Sequence, residues 1–536
     1  MLYPLIVWAF LCLQQVSGKN VLVYSTTIGH SHVKFHNKLA DLLVDAGHKV
    51  VILLSEQNPN IKIGETKAEV ITVPASEETI AIQDAGEKAT LVGFWTSDIH
   101  DLSSAISVFN EISNMATSQC RKTLAFPGLF DRLKQHEFDV ALSESWDLCG
   151  FGLFYQLGIT KYAVTMTNHL EEGAAAILGV PNALSWVPAV EMGTTPKMSF
   201  MERIQNLRAA HISHEIYDLL INNMQSIFDA KYEEFASFRD LLANSSLIFT
   251  NSDPLIDFPR PTLHKVIDLG GITVPPRFNN LTSDWEKILS RRSRTVLVSF
   301  GTVAKAFAMP DDYKKGIMGA MDEFPDVTFI MKYERPEDGL DGERKNVVLT
   351  RWMPQNELLG DDRVVALITH CGAASMHEAA ARAIPVVAIP LFHDQMRNAR
   401  LIENAGFGFS FDKMKLGDKG ALAEAIREVI DTKKYKKRAD EVSGMIQNRP
   451  FTSEELFVKN VEFLAAHGPL KNLDPYSRKM GWLEYYNADI VLAAFGGIVF
   501  ILIAFALCLC LVCFFIQQRR TKYRRCDDPD DYFLHS

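Results

Sequence analysis

The stretch VVALITHCGAASMHEAAARAIPVVAIP, residues 364–390, decides the fold class of this 536-residue chain. It opens with an apolar run that is typical of a strand buried on both faces of a sheet. The turn HCG (370–372) leads into an alanine-rich segment that ends before Pro385, and a second apolar strand, VVAIP, follows. Strand, helix and strand in this order predict one β-α-β unit of an α/β domain.

The same alternation extends from this unit toward the amino terminus. The strands predicted in the second half are TVLVSFGT (295–302), VTFIMKY (327–333), NVVLT (346–350), VVALITH (364–370) and VVAIP (386–390). In the first half, NVLVYS (20–25) and KVVILL (49–54) flank a helical stretch, and FDVALSE (138–144) is another apolar strand. Short apolar strands that alternate with helices predict parallel sheets covered by helices on both faces.

A connector with several prolines and glycines, DFPRPTLHKVIDLGG (257–271), separates the two halves. We therefore expect an amino-terminal domain over 19–270 and a second domain over 271–449. Both are α/β and doubly wound, and they face each other across a cleft. Ligands of such sheets bind at the carboxyl ends of the strands. Residues 450–488 are expected to form connecting helices.

Both ends of the chain carry apolar segments. Residues 5–13 form a short apolar run followed by small residues, which predicts a cleaved signal peptide over 1–18. Residues 490–516 carry no charged side chain, and a transmembrane helix is predicted over 489–516. Five basic residues open the tail, 517–536, so the positive-inside rule places this tail in the cytoplasm and the body in a lumen or outside.

Composition excludes some partners and limits covalent cross-linking. The net charge of −10 argues against nucleic acid as the main partner, because phosphate contacts need clustered Lys and Arg. Of the eight cysteines, only Cys120, Cys149 and Cys371 lie in the expected lumenal body, so at most one disulfide forms there. N-x-S/T sequons at Asn244 and Asn280 predict glycosylation in that compartment.

The HCG turn and the helix after it carry His370, Cys371, Ser375, His377 and Glu378. A metal site is disfavoured because no second Cys or His pair stands nearby at zinc spacing. Cys371 lacks a local partner base, and His377 is expected to be a surface or packing residue. The spacing of Ser375 and Glu378 matches an S-x-x-E capping box, so spacing alone leaves Glu378 open between a helix cap and a ligand contact.

A third interpretation of the turn concerns anions. Gly372 permits a close backbone approach, and the N–H groups at the start of the following helix suit an anion such as diphosphate.

The longer stretch LITHCGAASMHEAAARAIPVVAIPLFHDQ (367–395) resembles the signature of the UDP-glycosyltransferase family, and of its membrane-bound UDP-glucuronosyltransferases in particular. RWMPQNELL (351–359), SFGT (299–302), DFPRP (257–261) and GGI (270–272) also resemble family segments. The resemblance implies a GT-B fold of two Rossmann-like domains with a transmembrane helix. It further implies residence in the endoplasmic reticulum and a role in detoxification.

The resemblance also implies roles for individual residues in binding the UDP-sugar. Trp352 would stack on the uracil, Gln355 would contact the uridine and Glu378 would hold the ribose hydroxyls. The residues expected at the diphosphate are Thr302, His370, Gly372 and Ser375, and those expected at the donor sugar are Asp394 and Gln395.

The chain departs from the family pattern at two positions. Ala374 stands where Asn is frequent, and Cys371 stands where Gly is common; both are expected to weaken or reshape donor binding. Arg260 is open between pairing with a sugar carboxylate and a structural role in the connector.

The resemblance assigns the general base to the loop after the first strand. Among its histidines, His32 occupies the family position, and His30 and His36 are expected to be bystanders. A base of this kind needs an acidic partner to orient it. The family position of that acid falls on Glu144, with Asp147 as a nearby alternative.

These expectations combine into an inverting, metal-independent transfer of glucuronate or glucose from a UDP-sugar to a hydroxyl of a small lipophilic acceptor. No cofactor is expected, because the UDP-sugar is a co-substrate. The alternative is a non-catalytic, membrane-anchored protein that binds a UDP-sugar or a lipophile. The predicted span disfavours a soluble nucleotide-sugar epimerase, and homo-oligomerisation stays open.

Overall fold

The computed structural model describes residues 18–97, 103–275 and 280–526. The predicted signal peptide lies outside this part except for Gly18. The chain divides into two units, one that runs to Asp474 and one that starts at Pro475.

The first unit contains two parallel sheets. The strands of the amino-terminal sheet are β1 (Asn20–Thr26), β2 (Lys49–Ser55), β3 (Glu69–Val73), β4 (Val140–Glu144), β5 (Tyr162–Met166), β6 (Leu247–Thr250) and β7 (Val266–Asp268). Their order across the sheet is β3-β2-β1-β4-β5-β6-β7, and every neighbouring pair is parallel. The order reverses between β1 and β4, which is where doubly wound sheets bind ligands.

Helices cover both faces of this sheet. They are α1 (His30–Asp45), α2 (Glu77–Thr96), α3 (Ser103–Leu124), α4 (Leu129–Lys134), α5 (Cys149–Gln156), α6 (Glu172–Leu178), α7 (Phe200–Asp229) and α8 (Phe238–Ala243). The residues of β1 from Val21 to Thr26 are buried, because helices lie above and below the strand. The apolar runs read in the sequence therefore mark strands that are buried on both sides.

The second sheet has six strands instead of the five predicted. They are β8 (Arg294–Ser299), β9 (Val327–Lys332), β10 (Val347–Thr350), β11 (Val364–Thr369), β12 (Val386–Ala388) and β13 (Gly408–Ser410), in the order β10-β9-β8-β11-β12-β13. β13 is not predicted from the sequence, because its three residues form no apolar run. The helices of this half are α9 (Ser283–Leu289), α10 (Asp311–Asp322), α11 (Gln355–Leu359), α12 (Ala373–Ala381), α13 (Asp394–Ala405), α14 (Lys419–Asp431) and α15 (Lys433–Gln447).

Two helices join the halves of this unit. Helix α16 (Ser453–His467) follows the second sheet in sequence but packs on the first, where Phe457 and Leu464 are buried among residues of β1, β2 and α1. In the other direction, Trp95 at the end of α2 is fully buried in the core of the second sheet, and its indole N–H donates to the Lys305 carbonyl oxygen over 3.1 Å. Each half of the unit thus contributes apolar side chains to the core of the other half, and this exchange holds the two sheets together.

A disulfide joins Cys120 on α3 to Cys149 at the start of α5, while Cys371 is a buried free thiol. One bridge among the three cysteines agrees with the limit set by their number. Lumenal and secreted proteins form such bonds, whereas cytosolic thiols are kept reduced.

The second unit contains the short helix α17 (Trp482–Tyr485) and the long helix α18 (Ala488–Cys526). Within the described residues, α18 is the one helix long and apolar enough to cross a membrane. It includes the predicted segment 489–516 and fits a membrane anchor by length and composition. The exposed aromatic residues Trp482 and Tyr486 precede it, as is typical of chains that enter a membrane interface.

The disulfide provides a first test. After native alkylation of the full chain under non-reducing conditions, we expect peptide mass spectrometry to find Cys120 cross-linked to Cys149. Cys371 should resist alkylation until the chain is denatured, because its side chain is buried. Reduction before denaturing alkylation is the control, since it should release Cys120 and Cys149 as separate labelled peptides. Free Cys120 in the non-reduced sample would contradict the structure.

Candidate active site

His32 and Glu144 meet where the strand order reverses. β1 ends at Thr26, and His32 lies in the first turn of the helix α1 that follows; Glu144 is the last residue of the neighbouring β4. The His32 Nδ1 atom lies 2.9 Å from Glu144 Oε1 and 2.8 Å from Oε2. The Thr167 hydroxyl, just after β5, donates to Glu144 Oε1 over 2.8 Å. Three adjacent strands thus each supply one member of a hydrogen-bonded group.

Electrostatics define the protonation of this pair. Burial lowers the pKa of His32, but the charge of Glu144 and its hydrogen bond outweigh burial, so that the pKa is raised above its ordinary value. Burial raises the pKa of Glu144, yet His32 and Thr167 together bring it down to about 2. Glu144 is therefore a carboxylate at neutral pH that accepts the Nδ1 hydrogen, which leaves His32 Nε2 to take up a proton.

Asp147, the alternative partner, is engaged elsewhere. Its carboxylate accepts hydrogen bonds from Gln57 Nε2 at 2.7 Å and from the Cys149 backbone N–H at 3.0 Å. Burial raises the pKa of Asp147 to about 7. His36 is also buried and hydrogen-bonds to Ser25 Oγ at 3.1 Å, so it belongs to the support of the site.

His370 lies between two glycine turns of the second sheet. A Cβ atom on Gly301 would lie 2.5 Å from His370 Nε2, and one on Gly372 would lie 2.8 Å from the same atom. Only glycine at both positions leaves room for the imidazole. Burial, with a smaller contribution from the charge of Lys332, lowers the pKa of His370 to about 4, so the ring is neutral. The Thr302 of the predicted phosphate loop follows Gly301 directly.

Helix α12 starts directly after this turn, with Gly372 at its N-cap and no side-chain cap. The capping-box interpretation of Ser375 and Glu378 is wrong, because Ser375 lies inside the helix at its third residue. The first backbone N–H groups of α12 have no carbonyl partner within the helix, and they form the positive end of the helix dipole. Ala374, in the first turn, contributes no side-chain donor there. An anion at this end would meet backbone donors.

Four predicted donor residues form a second cluster beside α12. Gln355 Nε2 donates to Ser375 Oγ at 3.1 Å and to Glu378 Oε2 at 2.8 Å. Glu378 is buried, whereas 60% of the surface of Trp352 is exposed. The exposed indole of Trp352 suits a ring that stacks, and the buried carboxylate of Glu378 suits a ribose whose hydroxyls donate.

The first domain reaches this cluster through the start of α1. Lys34 Nζ lies 3.4 Å from Glu378 Oε1, and the His30 ring centroid lies 5.8 Å from that of Trp352. The start of α1 contacts both halves of the cleft. The contacts are made by three side chains spaced two residues apart, those of His30, His32 and Lys34. His30, expected to be a bystander, is thus a neighbour of Trp352, the residue expected to stack on the uracil.

Asp394 and Gln395 begin α13. Asn398 Nδ2 donates to Asp394 Oδ2 at 2.8 Å and to the Cys371 carbonyl oxygen at 2.9 Å, which ties this helix start to the HCG turn. The side-chain amide oxygen of Gln395, Oε1, accepts from the Leu391 backbone N–H at 2.9 Å and holds the preceding loop. Asp394 is therefore linked to the HCG turn through Asn398, whereas Gln395 holds the loop before α13.

The remaining residues of the signature are structural. Cys371 has φ of 64°, a left-handed backbone that favours glycine, which explains why glycine suits this position. Burial raises the pKa of its thiol, so Cys371 is no thiolate nucleophile. His377 is buried against the Asn251 carbonyl oxygen at 2.8 Å, and Arg260 donates to the Leu170 carbonyl oxygen at 2.6 Å.

Sequence reasoning missed several residues of the site. Thr167 follows the end of β5 and had a positional signal, because polar residues at strand ends line the cleft. Lys34 had a weaker positional signal, because it lies only two residues after His32. Trp146, whose ring lies 5.3 Å from that of His32, had no signal, because it lies in a loop without a pattern. His393 lies within the stretch 367–395, but nothing there indicates its contacts with Glu171 and Glu191.

Comparison with known proteins agrees with this geometry. The family model described as "UDP-glucoronosyl and UDP-glucosyl transferase" matches residues 19–523. The putative UDP-glucuronosyltransferase ugt-48 of Caenorhabditis elegans is 27% identical over 510 residues, which are 92% of this chain and 95% of the relative. Human UDP-glucuronosyltransferase 1A9 is 26% identical over 471 residues, 86% of either chain.

Solved structures share the fold. The glycosyltransferase SnogD from Streptomyces nogalater matches with a TM-score of 0.54 at 16% identity, over 84% of this chain and 100% of that one. Phytolacca americana UGT2, complexed with UDP-2fluoro-glucose and pterostilbene, matches with a TM-score of 0.54 at 15% identity, over 84% and 100%. The chain belongs to the UDP-glucuronosyl and UDP-glucosyl transferase family and is a GT-B glycosyltransferase that transfers a sugar from a UDP-sugar.

Proposed function

We propose that this enzyme transfers the sugar with inversion, and without a metal or organic cofactor, to a hydroxyl of a small lipophilic acceptor. His32 is the general base. The observation that carries this proposal is the contact of His32 Nδ1 with both oxygens of a buried, ionised Glu144. Such a pair is the arrangement that activates a hydroxyl near neutral pH.

The reaction is a single displacement. The acceptor hydroxyl gives its proton to His32 Nε2 while its oxygen forms a bond to the anomeric carbon of the sugar. The bond from that carbon to the UDP oxygen breaks on the opposite face, so the configuration inverts. Glu144 stabilises the imidazolium that results.

The departing UDP is stabilised by the second domain. The positive end of α12 and the neutral His370 lie at the expected diphosphate position, and Lys332 Nζ donates to the Gly301 carbonyl oxygen of the adjoining loop at 2.6 Å. Backbone donors and a helix dipole offset the developing negative charge, which is why we propose that no metal ion takes part.

Aromatic side chains support a lipophilic acceptor. The ring of Trp146 lies 5.3 Å from that of His32, and Phe109 lies 5.3 Å from Trp146. An apolar wall next to the base favours phenols or steroid-like alcohols over free sugars. Membrane anchoring suits such acceptors, since they partition into lipid. A detoxifying role in the endoplasmic reticulum is proposed from the family resemblance.

The base makes a pH-dependent prediction. His32→Ala should lower kcat by about 10²- to 10⁴-fold, the usual contribution of a general base. Because His32 must be neutral and its pKa is raised, the rate of the wild type should fall as pH drops through that raised value. Glu144→Gln removes the cause of the shift, so the acidic limb should move to lower pH while the maximal rate falls. The measurement is a pH-rate profile of kcat/KM.

His211→Ala, on the exposed face of α7, is the matched control and should leave the profile unchanged. Calorimetric binding of UDP to the His32→Ala variant should match the wild type. Full transfer by His32→Ala would overturn the mechanism. UDP binding without any transfer by the wild type would support the alternative, a non-catalytic binding protein.

The donor cluster makes a second prediction. Glu378→Ala should raise the Kd for UDP by about 10- to 100-fold, because hydrogen bonds to a charged group contribute about 1.5–3 kcal/mol each. Glu424→Ala, on the exposed side of α14, is the control. Isothermal titration with UDP measures the difference, and an unchanged Kd for Glu378→Ala would remove Glu378 from the ribose site.

Topology makes a third prediction. Asn244 and Asn280 are both exposed, so each side chain has room for a glycan. We propose a single-pass type I protein with a lumenal body in the endoplasmic reticulum, which predicts two glycans that endoglycosidase H removes. Electrophoretic mobility should increase in two steps on partial digestion, and Asn244→Gln with Asn280→Gln should abolish the shift. Resistance of the wild type to the enzyme would contradict this location.

A further inference from the structure

The first turns of helix α7 expose four large apolar side chains. Phe200, Met201, Ile204 and Leu207 leave 67%, 60%, 45% and 56% of their surface uncovered. At 3.6 residues per turn, Phe200, Ile204 and Leu207 lie within about 60° of one another around the helix axis, and Met201 adjoins them. We call these four residues the α7 apolar face. Single exposed apolar residues are ordinary, but a contiguous group of them indicates an interaction site.

The other side of the same turns fixes the helix to the body. Asn206 is fully buried, and its Nδ2 donates to the carbonyl oxygens of Leu184 and Val187 over 2.8 Å and 2.9 Å. Its Oδ1 accepts from the backbone N–H of Ala189 over 2.7 Å. Because these bonds hold α7 in one orientation, the apolar face points away from the domain that carries it.

A tryptophan accompanies this face. Trp186 belongs to the loop that Asn206 holds, and 40% of its surface is exposed. The loop therefore lies beside the first turns of α7. Tryptophan is enriched where a membrane meets water, because its indole combines a large apolar ring system with one N–H donor.

The charges next to the α7 apolar face are positive. Arg203 and Arg208 are exposed, and the helical spacing places them on the two sides of the face. Lys197 is exposed just before the helix. Glu202 is the only acidic residue from Lys197 to Arg208, and its carboxylate accepts from the Ser199 backbone N–H over 2.7 Å at the helix start. The face is thus apolar with a cationic border.

This composition fits a lipid surface better than a second copy of the chain. In a symmetric pair the same surface meets itself, so the flanking cations would face like charges. An apolar face with basic residues beside it is typical of helices that lie in the headgroup region of a bilayer. The chain also carries α18, which fits a membrane anchor. A tether of this kind raises the effective concentration of the bilayer, so a second contact needs little affinity of its own.

We propose that the α7 apolar face, with Trp186 beside it, binds the surface of a bilayer that contains anionic lipids. The four apolar side chains enter the boundary between headgroups and acyl chains, and Arg203 and Arg208 pair with lipid phosphates. The catalytic body then has a membrane contact of its own in addition to the anchor.

Photocross-linking of the full-length protein in vesicles tests this contact. The photoreactive residue p-benzoylphenylalanine takes the place of Phe200 or, as the matched control, of Tyr155, a half-exposed aromatic residue of α5. In vesicles that contain phosphatidylserine, mass spectrometry should find lipid adducts at position 200 and none above background at position 155. Absence of lipid adducts at position 200 would overturn the proposal, as would cross-linked pairs of chains in their place.

Substitutions on the face test its apolar character. Leu207→Asp and Ile204→Asp each place a charge where a side chain enters the lipid, so each should reduce the adducts at position 200 to background. Met445→Asp, at an exposed residue of α15, is the control with a similar chemical change and should leave the yield as it was. An unchanged yield in both face variants would contradict the insertion. The Kd for UDP should equal that of the wild type in all three variants, which shows that the fold is kept.

Charge is tested separately. Replacing both flanking arginines, Arg203→Gln with Arg208→Gln, should lower the adduct yield about 10- to 30-fold in anionic vesicles, because each basic residue near such a surface contributes about 1 kcal/mol. In vesicles of phosphatidylcholine alone, the same double variant should equal the wild type. An equal yield from the wild type in the two kinds of vesicle would refute the selection of anionic lipid.

Discussion

Parallel pairing of β1 with β4 is the constraint on which the rest of the site depends. The two strands are far apart in the sequence, yet the sheet reverses its order between them and brings their carboxyl ends together. His32 and Glu144 meet for that reason alone. The second sheet applies the same rule where β8 and β11 pair, so that the Gly301 loop and the HCG turn enclose His370. One topological rule, used twice, builds both walls of the cleft.

The walls are coupled by short-range contacts. The first turn of α1 holds His32, the proposed base, and also contacts Trp352 and Glu378 of the other domain. The proposed proton-transfer and nucleotide sites are therefore linked through one helix start. Trp95 is buried in the partner core, which limits how far the domains can separate without exposing a large aromatic surface. The buried contacts of His393 with Glu171 and Glu191 add polar interactions between the two domains.

Much of this structure could be predicted from hydrophobic periodicity and sequence motifs. Apolar runs predicted five of the six strands of the second sheet but only β1, β2 and β4 of the first sheet. The positions of Thr369 and Glu144 at strand ends indicated the cleft, because a buried strand has an apolar local composition. The stretch 367–395 indicated which residues would gather around α12. What stayed hidden depends on tertiary contact. β13 is too short to carry a pattern, Ser375 proved internal to its helix, and nothing local shows that His393 would meet Glu171 and Glu191.

The return of α16 to the first sheet makes the amino-terminal domain discontinuous in sequence. Its apolar face around β1 and β2 stays uncovered until Phe457 and Leu464 arrive, after the whole second domain has been made. A ribosome that synthesises this chain therefore completes the second domain before the first can close, and the anchor α18 emerges soon afterwards. A chain that stops before Ser453 therefore lacks Phe457 and Leu464 and leaves this apolar face of the first sheet without its cover.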